Sequence, residues 1–172
     1  MKLVLYGFMG VGKTSIGRVL AEKLNVEFID LDEVIVERTG IPISRIFEVY
    51  GEARFREIEK EITKEMAEKN KKVIACGGGT ILDSENKRYL SHNARMVLLT
   101  AEPTVILDRV ERQGGKRPLL MVDDKLAHIK ELLAQRHDEY VGAADVIVDT
   151  SEGTPQYLAE KIIEAIEEYR LR

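Results

Sequence analysis

Gly7-Phe8-Met9-Gly10-Val11-Gly12-Lys13-Thr14 is the stretch on which the reading of this chain turns. It follows the apolar run Leu3-Val4-Leu5-Tyr6 and leads into a helical pattern over 14–24, with Ile16, Val19, Leu20 and Leu24 on one side. A strand, a glycine-rich turn and a helix N-terminus in that order satisfy G-x-x-x-x-G-K-[ST] in the context the pattern needs. Each residue type has a physical task there. Glycines let successive amides turn toward phosphate oxygens, the helix start adds partial positive charge, Lys13 reaches outer phosphates, and the Thr14 hydroxyl can ligate magnesium. A nucleoside triphosphate is the expected ligand. A guanine-reading switch would also need Asn-Lys-x-Asp, but Asn86-Lys87 continues with Arg88-Tyr89, which argues against a GTPase.

Outward from this turn, apolar runs of strand length recur at 26–29, 73–76, 96–99 and 146–148, giving five candidate strands with helical patterns between them. The last helix, over 155–169, opens with Thr154 as N-cap and Pro155 at its first position. Such alternation predicts an α/β fold, a parallel sheet with helices on both faces. Two stretches break the rhythm. Residues 32–72 carry more helix than one crossover needs and predict a helical insertion over the sheet. Residues 113–118, Gln-Gly-Gly-Lys-Arg-Pro, pair flexible glycines with two cations and predict a mobile loop that meets anions.

The 172 residues, 44% apolar, suffice for a single core and read as one domain over 1–172, without repeats, low-complexity tracts or a linker. Thirty acidic residues against 26 basic leave a formal charge of -4, which argues against nucleic-acid binding by general phosphate neutralisation. The apolar runs are too short to span a membrane, and Met1-Lys2 passes straight into a strand, so a cytoplasmic protein is expected. The single cysteine, Cys76, and the scattered His92, His128 and His137 exclude an internal disulfide and a zinc-type site. Any metal should be oxygen-ligated, and these four residues receive no chemical role.

Candidates for a second ligand lie at the ends of the later strands. Asp30 and Asp32 end the second strand, and alternation of an extended chain points both carboxylates toward the end of the sheet where open α/β folds bind ligands. The bland alternative makes Asp32 the N-cap of a helix starting at Glu33. Gly77, Gly78 and Gly79 end the third strand, where a backbone without side chains admits a close ligand. In a helix over 52–69 with the stripe Phe55, Ile58, Ile62 and Met66, Arg56 and Glu59 stand at i,i+3 on its edge. Either Glu59 holds the guanidinium in place or the two form an ordinary surface pair. Arg136 falls among Leu126, Ile129, Leu133 and Tyr140 on one helical face, so it needs an anion, either a ligand carboxylate or an internal one such as Glu59.

Taken together these residues resemble the shikimate kinase family over nearly the whole chain. The P-loop at Gly7 to Thr14 comes first, then Asp-x-Asp at Asp30 and Asp32, then Phe-Arg-x-x-Glu at Phe55, Arg56 and Glu59. The triple glycine at 77–79, Arg-Pro-Leu-Leu from Arg117 to Leu120, Arg-x-x-x-Tyr at Arg136 and Tyr140, and Asp-x5-Pro at Asp149 and Pro155 follow in order. The resemblance implies a three-layer P-loop kinase fold with strand order 2-3-1-4-5, a helical shikimate-binding region at about 32–60 and a mobile lid at about 112–123. It implies that ATP phosphorylates the shikimate 3-hydroxyl, a step of aromatic amino-acid biosynthesis, with Mg2+ as cofactor, in a monomer. ATP would be held by Gly10, Val11, Gly12, Lys13, Thr14 and Ser15, with Arg112 stacked on adenine and Arg117 reaching both substrates. Thr14 and Asp30 would serve magnesium. Shikimate would meet Asp32 at its hydroxyls, Arg56 and Arg136 at its carboxylate, and Gly77, Gly78 and Gly79 through their backbone. Lys13, Asp32 and Arg117 would carry the chemistry. Cys76 stands where many members have another residue before the triple glycine, and no metal role is placed there. Rival readings are a gluconate or nucleotide kinase of the same fold, or a nucleotide-binding module without turnover.

Overall fold

A computed structural model of the chain describes residues 1–114 and 120–171. Arg117 therefore lies outside the described residues, as does most of the 113–118 segment. Five parallel strands form one sheet in the order β2-β3-β1-β4-β5. They are β1 (Lys2–Tyr6), β2 (Glu27–Asp30), β3 (Lys72–Ala75), β4 (Ala94–Thr100) and β5 (Val146–Asp149), each within two residues of its expected bounds. β1 is buried along its whole length, as a strand with neighbours on both sides and helices above and below must be. Even Lys2 is buried, and its Nζ donates to the Ala67 carbonyl at 2.7 Å.

The crossovers fix the layers. From β1 the chain passes through α1 (Lys13–Lys23) outward to β2, and every later crossover runs the opposite way across the sheet. Right-handed connections therefore put α1 on one face, and α2 (Leu31–Thr39), α3 (Ile43–Ala67), α4 (Ser84–Ser91), α5 (Pro103–Gln113) and α6 (Lys125–Gly142) on the other. The last helix, α7 (Pro155–Arg170), returns to pack beside α1, with Thr154 capping it by accepting from the Tyr157 amide at 3.2 Å. α1 sits close enough to the sheet that a Cβ on Gly17 would stand 2.4 Å from the Phe28 ring, so only glycine fits there.

The stretch 32–72 is the expected helical insertion, with one boundary corrected. β2 passes directly into α2 at Leu31, so the N-cap is Asp30 and not Asp32. The Asp30 carboxylate accepts from the amides of Asp32 at 3.0 Å and Glu33 at 3.4 Å. The helix expected from residue 52 does start there, after Gly51, whose φ of 80° breaks the helical path; a further helical segment from Ile43 precedes the kink, and α3 comprises both. Strand ends at Tyr6, Asp30, Ala75, Thr100 and Asp149 all lie along one edge of the sheet. Because β1 neighbours both β3 and β4, the turn after β1 sits where the direction of winding reverses, the usual ligand crevice of an open α/β sheet. Among the described residues no helix is long and apolar enough to cross a membrane.

Candidate active site

The turn after β1 is shaped by contact with its neighbours. A Cβ on Gly7 would stand 2.2 Å from the Leu99 carbonyl oxygen of β4, at a φ of 142°, so this position accepts only glycine. The chain then rises over β4 and enters α1 through Gly12, which holds a left-handed conformation and gives the helix no side-chain cap. The first amides of α1 are thus left for an anion rather than for a capping oxygen. Lys13 folds back over the turn, donating from Nζ to the carbonyls of Gly7 at 2.8 Å and Phe8 at 2.7 Å, which keeps its charge at the mouth of the loop.

A cavity of about 120 Å³ opens beside this turn, lined by Gly10, Gly12, Lys13, Thr14 and Ser15 on one side and Asp30, Asp32, Cys76 and Gly78 on the other. The two expected carboxylates do converge on it, though not by strand alternation. Asp30 ends β2 while Asp32 belongs to the first turn of α2, so a helical turn brings the second acid to the cavity. The Thr14 hydroxyl donates to Asp30 Oδ2 at 2.6 Å. Hydroxyl and carboxylate are hard oxygen donors that suit magnesium, an ion which ordinarily takes one or two protein oxygens and completes its shell with water and phosphate. Among the described residues no group of three or more His, Cys, Asp or Glu is placed to hold a metal alone. Cys76, although it lines the cavity, is buried, and burial pushes its thiol far above the ordinary cysteine range, so it stays protonated and inert.

The triple glycine is the floor on which three further side chains meet. A Cβ on Gly77 would stand 3.0 Å from Asp32 Oδ1, one on Gly78 3.7 Å from Arg136 Nη1, and one on Gly79 2.7 Å from Arg56 Nη2. Asp32, Arg136 and Arg56, drawn from α2, α6 and α3, thus surround one short backbone segment. Side chains at 77 or 79 would displace the groups they face.

Arg56 and Glu59 are not a surface pair. Glu59 is 1% exposed, accepting from Arg56 Nη1 at 2.8 Å and from the buried Thr80 hydroxyl at 2.8 Å. Burial works against the Arg56 charge, but the Glu59 and Glu52 carboxylates together more than offset this and hold the guanidinium above its ordinary range. Arg136 has a different setting. Its Nη1 lies 3.4 Å from both the Gly78 carbonyl and the Tyr140 hydroxyl, and its guanidinium rests 5.4 Å from the centre of the Phe8 ring. Among the described residues no carboxylate forms an ion pair with Arg136, and the Glu59 oxygens face Arg56 and Thr80 instead. A half-buried arginine whose partners are a carbonyl, a phenol and an aromatic face is suited to receive an anion from outside.

Other positions fall where sequence reasoning gave little guidance. Tyr140, expected only as part of an apolar helical face and of a motif, donates its hydroxyl to the Gly78 carbonyl and so anchors the glycine floor; its own carbonyl receives the Tyr6 hydroxyl at 2.7 Å. Arg112 ends α5 on the solvent side, where its Nε pairs with Asp108 at 3.1 Å. Arg109, one turn earlier, reaches the P-loop backbone, a contact no motif announced.

The family model for shikimate kinase matches residues 9–167. A shikimate kinase from Thermodesulfovibrio yellowstonii is 46% identical over 165 residues, covering 96% of this chain and 94% of that protein. One from Thermus thermophilus is 43% identical over 164 residues, covering 95% and 89%. Among solved structures, a shikimate kinase from Acinetobacter baumannii in complex with shikimate superposes with a TM-score of 0.94 at 36% identity, covering 99% of this chain and 95% of that one. A shikimate kinase from Aquifex aeolicus superposes with a TM-score of 0.84 at 33% identity, covering 99% of each. With a phosphate cradle, two acids and two arginines gathered at the switch point of the sheet, and relatives matched along almost its full length, the chain belongs to the shikimate kinase family.

Proposed function

We propose that this chain transfers the terminal phosphoryl group of ATP to the 3-hydroxyl of shikimate, with Asp32, Arg56 and Arg136 as the acceptor side of the site. The observation that carries this assignment is the meeting of two guanidinium groups and one carboxylate around Gly77, Gly78 and Gly79, within reach of the cradle after β1. A ring bearing a carboxylate and hydroxyls matches such a set: cations for the carboxylate, an acid for the hydroxyl.

Transfer between two bound oxygens needs mostly alignment and neutralisation of charge. The amides of the turn and of the α1 N-terminus face the phosphates, and Lys13 supplies the positive charge nearest the transferring group. Thr14 and Asp30 would hold Mg2+, which would supply further neutralisation of phosphate charge. Asp32 aligns the acceptor hydroxyl and takes its proton as the new bond forms. Arg56, held by Glu59, and Arg136, held by Tyr140 and the Gly78 carbonyl, fix the acceptor carboxylate and thereby the hydroxyl at the opposite part of the ring. From the family resemblance, Arg117 reaches both substrates, Arg112 covers adenine, and residues 112–123 act as a lid. We take the chain to work as a monomer in the cytoplasm, on its charge of -4, its single cysteine and its 33% charged residues.

The acceptor assignment is tested with Arg136→Lys, which keeps the charge but loses the planar fork. The expected KM for shikimate rises about 10-fold or more, the size of one lost charge-assisted hydrogen bond, while KM for ATP changes less than about twofold. Shikimate carrying a neutral carboxamide should be a poor acceptor for the wild type, and the variant should discriminate less between the two. A sharp fall in melting temperature with acceptor preference unchanged would show that Arg136 serves the fold and not the ligand.

A further inference from the structure

The carbonyl oxygens of the phosphate loop are themselves held, by two residues that no motif noted above specifies: Arg109, and Thr150 in the unspecified spacer of Asp-x5-Pro. Arg109 of α5 donates from Nη1 to the Gly10 carbonyl at 3.2 Å and to the Thr150 hydroxyl at 3.2 Å, and its Nη2 donates to the Thr150 carbonyl. Thr150, 0% exposed at the end of β5, places its hydroxyl 2.7 Å from the Val11 carbonyl and 3.0 Å from that of Thr100. A hydroxyl has one proton to give. The shorter contact takes it, and a lone pair of the same oxygen receives Arg109. Two consecutive loop carbonyls are therefore tied, one to a helix and one to a strand end, through groups that also touch each other.

The consequence follows from peptide geometry. Among the described residues no peptide bond is cis, so in each unit of the loop the C=O and N–H point in opposite directions. Holding the Gly10 and Val11 carbonyls against α5 and β5 turns the Val11 and Gly12 amides to the other side of the loop. The loop apex has little freedom to rotate back: a Cβ on Gly10 would stand 3.1 Å from Val110 and 3.2 Å from the Ile106 carbonyl of α5. We propose that Arg109 and Thr150 are positioning residues for nucleotide phosphates, preorganising the loop amides by gripping the carbonyls behind them. This rests on the reading that Gly7 to Thr14 holds the triphosphate. Neither residue touches the acceptor side, so the effect is confined to the nucleotide.

The test compares ADP affinity by titration calorimetry, and steady-state constants for both substrates, in the wild type, Arg109→Met, Arg109→Lys, Thr150→Val and the double variant Arg109→Met/Thr150→Val. Arg109→Met should weaken ADP binding and raise KM for ATP about 10-fold, as expected for a lost charge-assisted hydrogen bond, with KM for shikimate within about twofold. Arg109→Lys keeps one donor for the Gly10 carbonyl and should recover most of that loss. The double variant should lose less than the product of the single losses, because the two groups brace one loop together. ADP affinity unchanged in both single variants, or KM for both substrates raised alike alongside a lower melting temperature, would overturn the proposal and leave the cradle assignment standing. A wild-type chain that binds no ADP would overturn the cradle assignment and this proposal with it.

Discussion

Lys13→Ala is expected to remove nearly all phosphoryl transfer while leaving a folded chain. The side chain is half-buried and its Nζ is satisfied by two loop carbonyls, at 2.8 and 2.7 Å, which water can reach once the amine is gone. Stability should change little. The transferring phosphoryl group, by contrast, loses the fixed cation closest to it, and removal of one preorganised electrostatic contact of this kind costs about 10²- to 10³-fold in kcat. The check is kcat beside a thermal melt of the same preparation. A folded Lys13→Ala chain that retains a third of wild-type turnover would contradict the role given to the loop.

Asp32→Asn should show the second large effect, and the structure sharpens its interpretation. Had Asp32 been the N-cap of α2, lost activity could have followed from lost stability. The cap is Asp30, and Asp32 contributes only its backbone amide to that bond. An amide at 32 keeps the shape and gives up one negative charge in the first turn, worth about 0.3–1 kcal/mol of stability. Turnover, however, loses the group that aligns and deprotonates the acceptor, an effect of about 10²- to 10⁴-fold. The expected pattern is thus a large fall in kcat, a smaller change in KM for shikimate, and a melting temperature close to wild type. A modest loss of rate that tracks a lowered melting temperature would assign Asp32 to the fold.

What the sequence disclosed and what it concealed follow from the range of the interactions involved. The cradle is legible because a strand, a glycine turn and a helix start are all local, and the five strands are legible because buried parallel strands are short unbroken apolar runs. Asp30 and Asp32 were correctly gathered to one place but by the wrong geometry, because the chain changes from strand to helix between them and alternation stops at Asp30. Glu59 is the instructive case. Its helix buries Phe55, Glu59, Ile62 and Met66, a regular 4-3-4 spacing that was present in the sequence. Reading only apolar residues as the stripe substituted the half-buried Ile58 and pushed Glu59 to the edge. An acid on a buried stripe, one turn from an arginine, is a sign of an internal charge pair. Arg109 and Thr150 had no comparable sign, since they meet the loop across 99 and 139 residues of chain.

The central claim is that shikimate is the acceptor of the phosphoryl group held at Gly7 to Thr14. The most direct measurement is ADP release from ATP and magnesium, followed with shikimate, with gluconate, with nucleoside monophosphates, and with no acceptor. Saturable ADP release with shikimate, near background with the others, and one shikimate phosphorylated at the 3-hydroxyl per ADP formed, is the predicted result. Equal ADP release with and without shikimate, or turnover sustained by another acceptor in its place, would contradict it.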